Sequence, residues 1–196
     1  MKNFVRRRFV YNFIGDLLLG DGILVSKIRC VIARWAGCEV GKNVKIGQYV
    51  HLCGPGKIII GDDAWIAAHV WIQSNGMVRI GNASEIMYQT LLTANGGSSL
   101  IVGNHCRVAH GVSIKTSTHE IDLTANCIGG SERYKDIVIG DGCWICAGAI
   151  ITPGVRIGNR NVVAAGAVVL EQTPCEDGVL LAGVPATIKK RYYETN

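Results

Sequence analysis

Residues 139–169 read IGDGCWICAGAIITPGVRIGNRNVVAAGAVV, and Ile139, Ile145, Ile151, Ile157, Val163 and Val169 place an aliphatic residue at every sixth position. A period of six fits neither a helix nor a plain strand. Alternation breaks at each sixth residue, and the apolar runs are too short for helices of about ten residues or more. The same frame runs back through Val102, Val108, Ile114; Ile80, Ile86, Leu92; Ile60, Ile66, Ile72; and Val40, Ile46, Leu52. Within a triplet the step is always six, while triplet starts are separated by 20, 20, 22, 37 and 18 residues. Every surplus residue therefore falls at one point of the cycle.

Internal repetition of this kind marks a solenoid, and a triangular prism accounts for the arithmetic. Each hexapeptide supplies one short flat strand, its aliphatic residue points into the core, and Gly or Asn turns the corner where positive φ is needed. The position four beyond the aliphatic is small or β-branched, as in Val44, Ala64, Ser84, Thr90, Val112, Ala149 and Ala167, which a narrow interior requires. The predicted fold class is all-β: a parallel β-helix of about six coils, with an N-terminal helical cap over residues 1–36 and a short C-terminal extension. Residues 37–196 form the prism domain, with a corner loop at 115–138 and a basic tail.

In the predicted cap, Phe9, Phe13 and Leu17, then Leu24, Ile28, Val31, Ile32 and Trp35, recur at helical spacing, with Gly20 and Gly22 between two helices. Two readings of this apolar stripe stand: it packs on the first coil, or it forms an interfacial helix pair with Arg6, Arg7 and Arg8 at lipid headgroups. Asn12, Asp16 and Asp21 interrupt the apolar run and no small-residue cleavage site follows, so the segment is not read as a secretion signal.

The chain carries 196 residues, a net charge of +5, 48% hydrophobic residues, 25 glycines and eight cysteines. That is one domain plus an appendage, too apolar to be disordered. The basic residues gather at Arg6–Arg8 and at Lys189, Lys190 and Arg191 with no continuous stripe, so nucleic acid is not an expected partner. Cys30, Cys38, Cys53, Cys106, Cys127, Cys143, Cys146 and Cys175 do not suit a small stapled scaffold, and reduced thiols in the cytoplasm are expected. Cys106 and Cys143 fall on the small inward position and read as core fillers. The spacing Cys143-Trp144-Ile145-Cys146 would point its two thiols to different sides of one strand, which argues against a redox or zinc pair.

The ordered run at 139–169, followed by LAGVPATIKKR and preceded by TSTHEID in the corner loop, resembles the hexapeptide acyltransferase superfamily. Within it, the likeness is to the branch of galactoside, maltose, antibiotic and polysaccharide O-acetyltransferases, over roughly residues 37–191. The resemblance implies a left-handed coil, an exception to the usual crossover hand, and a homotrimer with active sites between neighbouring prisms. It also implies acetyl-CoA, or another acyl-CoA, as co-substrate with no metal required.

Moving an acyl group from a thioester to an alcohol needs a base, because a neutral hydroxyl is a poor nucleophile. His119 stands at the family's catalytic position in TSTHEID, and a neutral imidazole suits that role at cellular pH. Glu120 and Asp122 beside it are candidates to orient the ring or bind the acceptor, and Tyr88 and Asn95 are candidate acceptor contacts. By resemblance, the pantetheine arm runs near Trp144, Ala147, Gly148 and Ala165, and Lys190 and Arg191 meet coenzyme phosphates. Leu170 and Glu171 stand where many relatives have Thr-Lys, a departure that touches the nucleotide contacts.

Variable segments at Gln73–Arg79, Thr93–Ile101 and 115–138 would choose the acceptor, with a sugar or polysaccharide precursor as the preferred class. Three other readings stay open: N-acyl transfer to an amino sugar, a catalytically silent scaffold, and a zinc carbonic anhydrase-like enzyme. The last needs three convergent ligands, and His105 and His110 leave different points of successive faces.

Overall fold

A computed structural model describes residues 2–20, 22–124 and 128–193. Asp21 and Cys127 lie outside the described residues, as do 125–126 of the corner loop and 194–196 of the tail. After helices α1 (Lys2–Leu17) and α2 (Ile23–Trp35), the chain winds as a left-handed parallel β-helix. Its first and third faces hold six strands each, and its second face eight.

The triplets read from the sequence are the rungs. On the first face Ile60 pairs with Ile80, Ile80 with Val102, Val102 with Ile139 and Ile139 with Ile157. The long step between Val102 and Ile139 is thus absorbed without any slip of register. A slip of one residue would turn a whole column of aliphatics outward, and burying each such side chain is worth about 1.5–3 kcal/mol. Ile46, Leu52, Ile66, Ile72, Ile86 and Leu92 are all buried, and so are their small partners Ala64, Ser84, Thr90, Val112, Ala149 and Ala167.

Corner chemistry meets the expectation of Gly or Asn only in part. At the first and second corners the residue three beyond the aliphatic has positive φ; it is Asn43, Gly111, Gly142, Gly148 and Gly166 as expected, but Tyr49, Asp63, His69, Ala83, Gln89, His105 and Arg160 at the other seven. The left-handed conformation costs a non-glycine residue only about 1–2 kcal/mol, and the ladders above and below hold the corner there. Along the first corner a column of Asx side chains adds to this hold. Asn82 Oδ1 accepts from the amide of Asp62, Asn104 Oδ1 from that of Asn82, Asp141 Oδ1 from that of Asn104, Asn159 Oδ1 from that of Asp141 and Asp177 Oδ1 from that of Asn159, all at 2.7–2.9 Å.

The helices cover the open end of the first coil, but not with their apolar stripes. Their inward faces are Arg8, Tyr11 and Gly15 on α1 and Ser26, Arg29, Cys30 and Ala33 on α2. Phe9, Phe13, Leu17, Leu24, Ile28, Val31 and Trp35 face outward. The packing expectation is inverted for a physical reason: the last rung of a parallel coil leaves unpaired N–H and C=O groups that need polar partners. Arg8, buried and not at a headgroup position, donates to the carbonyls of Cys53, Gly54 and Gly56. Asn12 holds both the amide and the carbonyl of Leu52. Arg29 donates to the Ile46 carbonyl at 3.1 Å, and Ser26 Oγ accepts from the Ile46 amide at 2.9 Å.

At the far end, Val179–Gly183 adds a parallel rung to the second face, and Ala186–Arg191 returns antiparallel beside it. The basic tail is therefore an edge strand up to Arg191.

Candidate active site

The insertion at the third corner, between the third and first faces, is a two-stranded antiparallel hairpin of Ser117–Ile121 with Gly129–Tyr134. Its register pairs Ser117 with Tyr134 and His119 with Glu132, and an irregularity between His119 and Ile121 brings Ile121 opposite Gly129. Bulges of this kind re-aim a side chain. Here the His119 ring turns across the hairpin and its Nδ1 lies 3.0 Å from the carbonyl oxygen of Gly130. A carbonyl only accepts, so Nδ1 carries a proton, and in the neutral ring the lone pair is on Nε2. The ring is exposed.

The neighbouring acids have other partners. Glu120 pairs with Arg133 at 3.3 Å, and Asp122 Oδ1 accepts from the amide and hydroxyl of Thr124 at 2.9 and 2.7 Å. Gly130 fits closely against this turn, since a Cβ there would stand 2.9 Å from that of Asp122. Gly130 carried no signal in a single sequence beyond being one of a Gly-Gly pair.

The hairpin is anchored from both sides. From the coil below, the Asn95 amide donates to Thr116 Oγ1 at 2.9 Å and Asn95 Nδ2 donates to Ser117 Oγ at 3.0 Å. Ser98 Oγ donates to the buried Thr116 Oγ1 at 2.6 Å. The Tyr134 ring lies over Gly96, where any side chain would collide with it. Above, Lys135 is ion-paired to Glu171, and the lysine's hydrogen bond holds the Glu171 carboxyl below the usual carboxylate range. Glu171, noted above as a departure from the Thr-Lys pattern, is thus committed to the hairpin.

The remaining candidates occupy other edges. Tyr88 lies at the second corner, between the second and third faces, in a groove of about 700 Å³ that it shares with Ile23, Val31, Trp65 and Ala68. It is not beside the hairpin, whereas Asn95 is. Trp144 stands outward on the second face, and Ala147, Gly148 and Ala165 follow at the second corner. Lys190 lies on the last strand of that face with its ammonium 5.3 Å from the Tyr192 ring centre. Arg191 is held by both Glu176 carboxylate oxygens at 3.0 Å.

Of the segments read as variable loops, Gln73–Ser74 and Met77–Arg79 are strand, leaving only Asn75 and Gly76 at the corner. Thr93–Ala94 and Ser99–Ile101 are likewise strand. His105 and His110 turn different corners, and among the described residues no three His, Cys, Asp or Glu side chains converge for a metal. Cys106 and Cys143 are buried, with Sγ donating to the carbonyls of Gly140 and Gly158 at 3.1 and 3.0 Å.

Comparisons with known proteins match both the repeat and the fold. Residues 136–171 match the family model for the bacterial transferase hexapeptide, described as six repeats. The chain is 29% identical over 167 residues to WcaF of Escherichia coli, named as a colanic acid biosynthesis acetyltransferase, covering 85% of this chain and 76% of that one. It superposes at a TM-score of 0.67 on a hexapeptide-repeat acetyltransferase of Vibrio cholerae complexed with acetyl coenzyme A, with 21% identity and coverage of 98% and 89%. On AntD, an N-acyltransferase of Bacillus cereus in complex with dTDP and coenzyme A, the TM-score is 0.71 with 24% identity and coverage of 81% and 87%. The chain thus matches the hexapeptide family model over 136–171 and shares the fold of these acyltransferases.

Proposed function

We propose that the protein transfers an acetyl group from acetyl-CoA to a hydroxyl of a sugar or polysaccharide precursor, with His119 as the general base. The observation that carries this reading is the 3.0 Å contact between His119 Nδ1 and the Gly130 carbonyl on an exposed hairpin, which makes Nδ1 the donor and Nε2 the acceptor of the neutral ring. Nε2 takes the proton of the acceptor hydroxyl as its oxygen attacks the thioester carbonyl. The oxyanion that forms is stabilised by a backbone amide at the coil edge. Collapse expels the coenzyme thiolate, which recovers the proton from the imidazolium, so the products are an ester and free coenzyme A.

The acceptor class rests on the relative named for colanic acid biosynthesis. The co-substrate rests on the acetyl coenzyme A complex of the Vibrio protein. Trp144, Ala147, Gly148, Ala165 and Lys190 are the proposed coenzyme contacts, and Asn95 supports the hairpin beside the acceptor. Arg191 serves that strand through Glu176. Because the base stands at the third corner and the coenzyme residues at the second, one prism does not bring them to one edge. A homotrimer, in which the third corner of one prism meets the second of its neighbour, unites them. Described cysteines that are all free, with the thiols of Cys30, Cys38, Cys53 and Cys146 pushed up by burial, suit a reducing cytoplasm. There residues 1–36 cap the prism and make peripheral contact with the inner face of the membrane.

Thiol release from acetyl-CoA against a panel of sugars, glycans and amino sugars tests the reading. Hydroxyl-dependent release that falls by at least about a hundredfold in His119→Ala is expected. Release with amino sugars alone moves the assignment to N-acyl transfer, the chemistry named for AntD. Release unchanged in the variant removes His119 from the mechanism.

A further inference from the structure

We propose that the outward faces of α1 and α2 form a docking surface for anionic lipid headgroups, which seats the prism end-on at a membrane. This rests on the peripheral contact named above and specifies its face and its lipid. The cap is turned inside out relative to an ordinary amphipathic helix pair. Its polar residues are spent on the coil end, with Arg8 2% exposed, and its large apolar residues are left in solvent. Phe9, Phe13 and Leu17 line α1 at 73%, 62% and 67% exposure, and Leu24 and Val31 line α2 at 72% and 62%. At helical spacing these form one stripe on each helix, a contiguous apolar surface of the kind that marks an interaction site.

Charge selects the occupant. Arg6 and Arg7 are exposed on α1 and Lys27 on α2, while the Arg34 guanidinium donates to the carbonyls of Val40 and Gly41 at 3.0 and 2.7 Å. The single acid within the two helices is Asp16, which faces His51 at 3.2 Å. Arg6 falls on the apolar stripe itself, one turn before Phe9 and Val10, where its stem lies along the hydrophobic face while its guanidinium reaches headgroup level. Arg7 stands over the Trp35 ring at 5.4 Å, which ties the start of α1 to the end of α2. Exposed apolar stripes with basic residues among and beside them, and with acid absent from the outward faces, fit an anionic bilayer whose boundary such helices enter by about 5–10 Å. Among the described residues no helix is long and apolar enough to cross a membrane, and the proposed mode lies in the interface plane.

The test is flotation of the full chain with vesicles of phosphatidylcholine alone, and of phosphatidylcholine and phosphatidylglycerol in equal parts. Removing residues 1–36 is unsuitable, since it would strip Arg8, Asn12, Ser26 and Arg29 from the first coil. The informative variants are Leu24→Asp with Phe13→Asp, and Arg6→Glu with Phe9→Glu. All four positions are exposed, so unfolding midpoint and thiol release with a water-soluble acceptor should match the parent. Flotation with the anionic vesicles only, reversed by salt and reduced roughly tenfold or more by either pair, is the expected result. No binding to anionic vesicles, or equal binding by the variants, overturns the proposal. So does a larger assembly in light scattering that the aspartates dissolve without any vesicle binding, which would assign the face to self-association. The flotation readout stands whether or not an acyl acceptor is found, so its failure is separable from failure of the transferase reading.

Discussion

The imidazole of His119 and the carbonyl oxygen of Gly130 meet at 3.0 Å across the two strands of the third-corner hairpin. The contact determines which nitrogen donates, and the hairpin register brings the two groups together. In His119→Gln the base is lost while much of the volume stays. Acyl transfer should fall by about a hundredfold or more. Circular dichroism should be unchanged because the ring is exposed.

Gly130→Ala tests the support of that ring. Its Cβ would stand 2.9 Å from that of Asp122, so one strand must shift and carry the carbonyl with it. A misplacement approaching 1 Å costs on the order of a hundredfold; a fall in kcat of at least about tenfold, with KM for acetyl-CoA unchanged, is expected from steady-state kinetics.

Glu171 and Lys135 close the hairpin over the last coil, and the paired lysine holds the Glu171 carboxyl below its ordinary value. A lowered folded-state value means that the contact contributes above the unfolded value and is lost as pH falls through the folded one. Hydrogen exchange in 129–135 should stay slow at pH values where an ordinary glutamate has taken up its proton, and rise only below them. Glu171→Gln should abolish that low-pH transition and raise exchange at neutral pH.

The two sides of the cap predict opposite responses. Arg8→Met leaves the carbonyls of Cys53, Gly54 and Gly56 without their donor in a buried place, at a cost of about 1–3 kcal/mol in urea unfolding. Phe13→Ser removes a far larger apolar surface, but from a side chain 62% exposed, and should change stability by less than about 0.5 kcal/mol.

Asn104 sits in the middle of the first-corner ladder, accepting from the Asn82 amide at 2.9 Å while its own amide donates to Asp141 at 2.7 Å. Asn104→Ala breaks one link of the column. About 1 kcal/mol of lost stability is expected, read as a fall of roughly 2–4 °C in Tm for a chain of this size.

The prism was legible before any coordinates because a period of six has one geometric solution, in which Ile139, Ile145 and Ile151 each close one side and repeat on the next coil. Inward Cys106 and Cys143 followed from the same count. His119 was legible through its place in TSTHEID, but its tautomer was not, since the Gly130 carbonyl is eleven residues away and reaches the ring only through the hairpin. Glu171 stood out as a departure, while its task depended on a lysine 36 positions earlier being folded beside it. Local pattern failed most clearly at the cap. Periodicity located the stripes of Phe9, Phe13 and Leu17 and of Leu24, Ile28, Val31 and Trp35, and burial by the coil was the natural inference. A solenoid end, however, exposes rows of backbone donors and acceptors that only polar side chains satisfy. The amino-acid order therefore determined where the helices and coils lie, and the tertiary structure alone decided which side of the helices faces in, because that choice belongs to the unpaired backbone of the first coil.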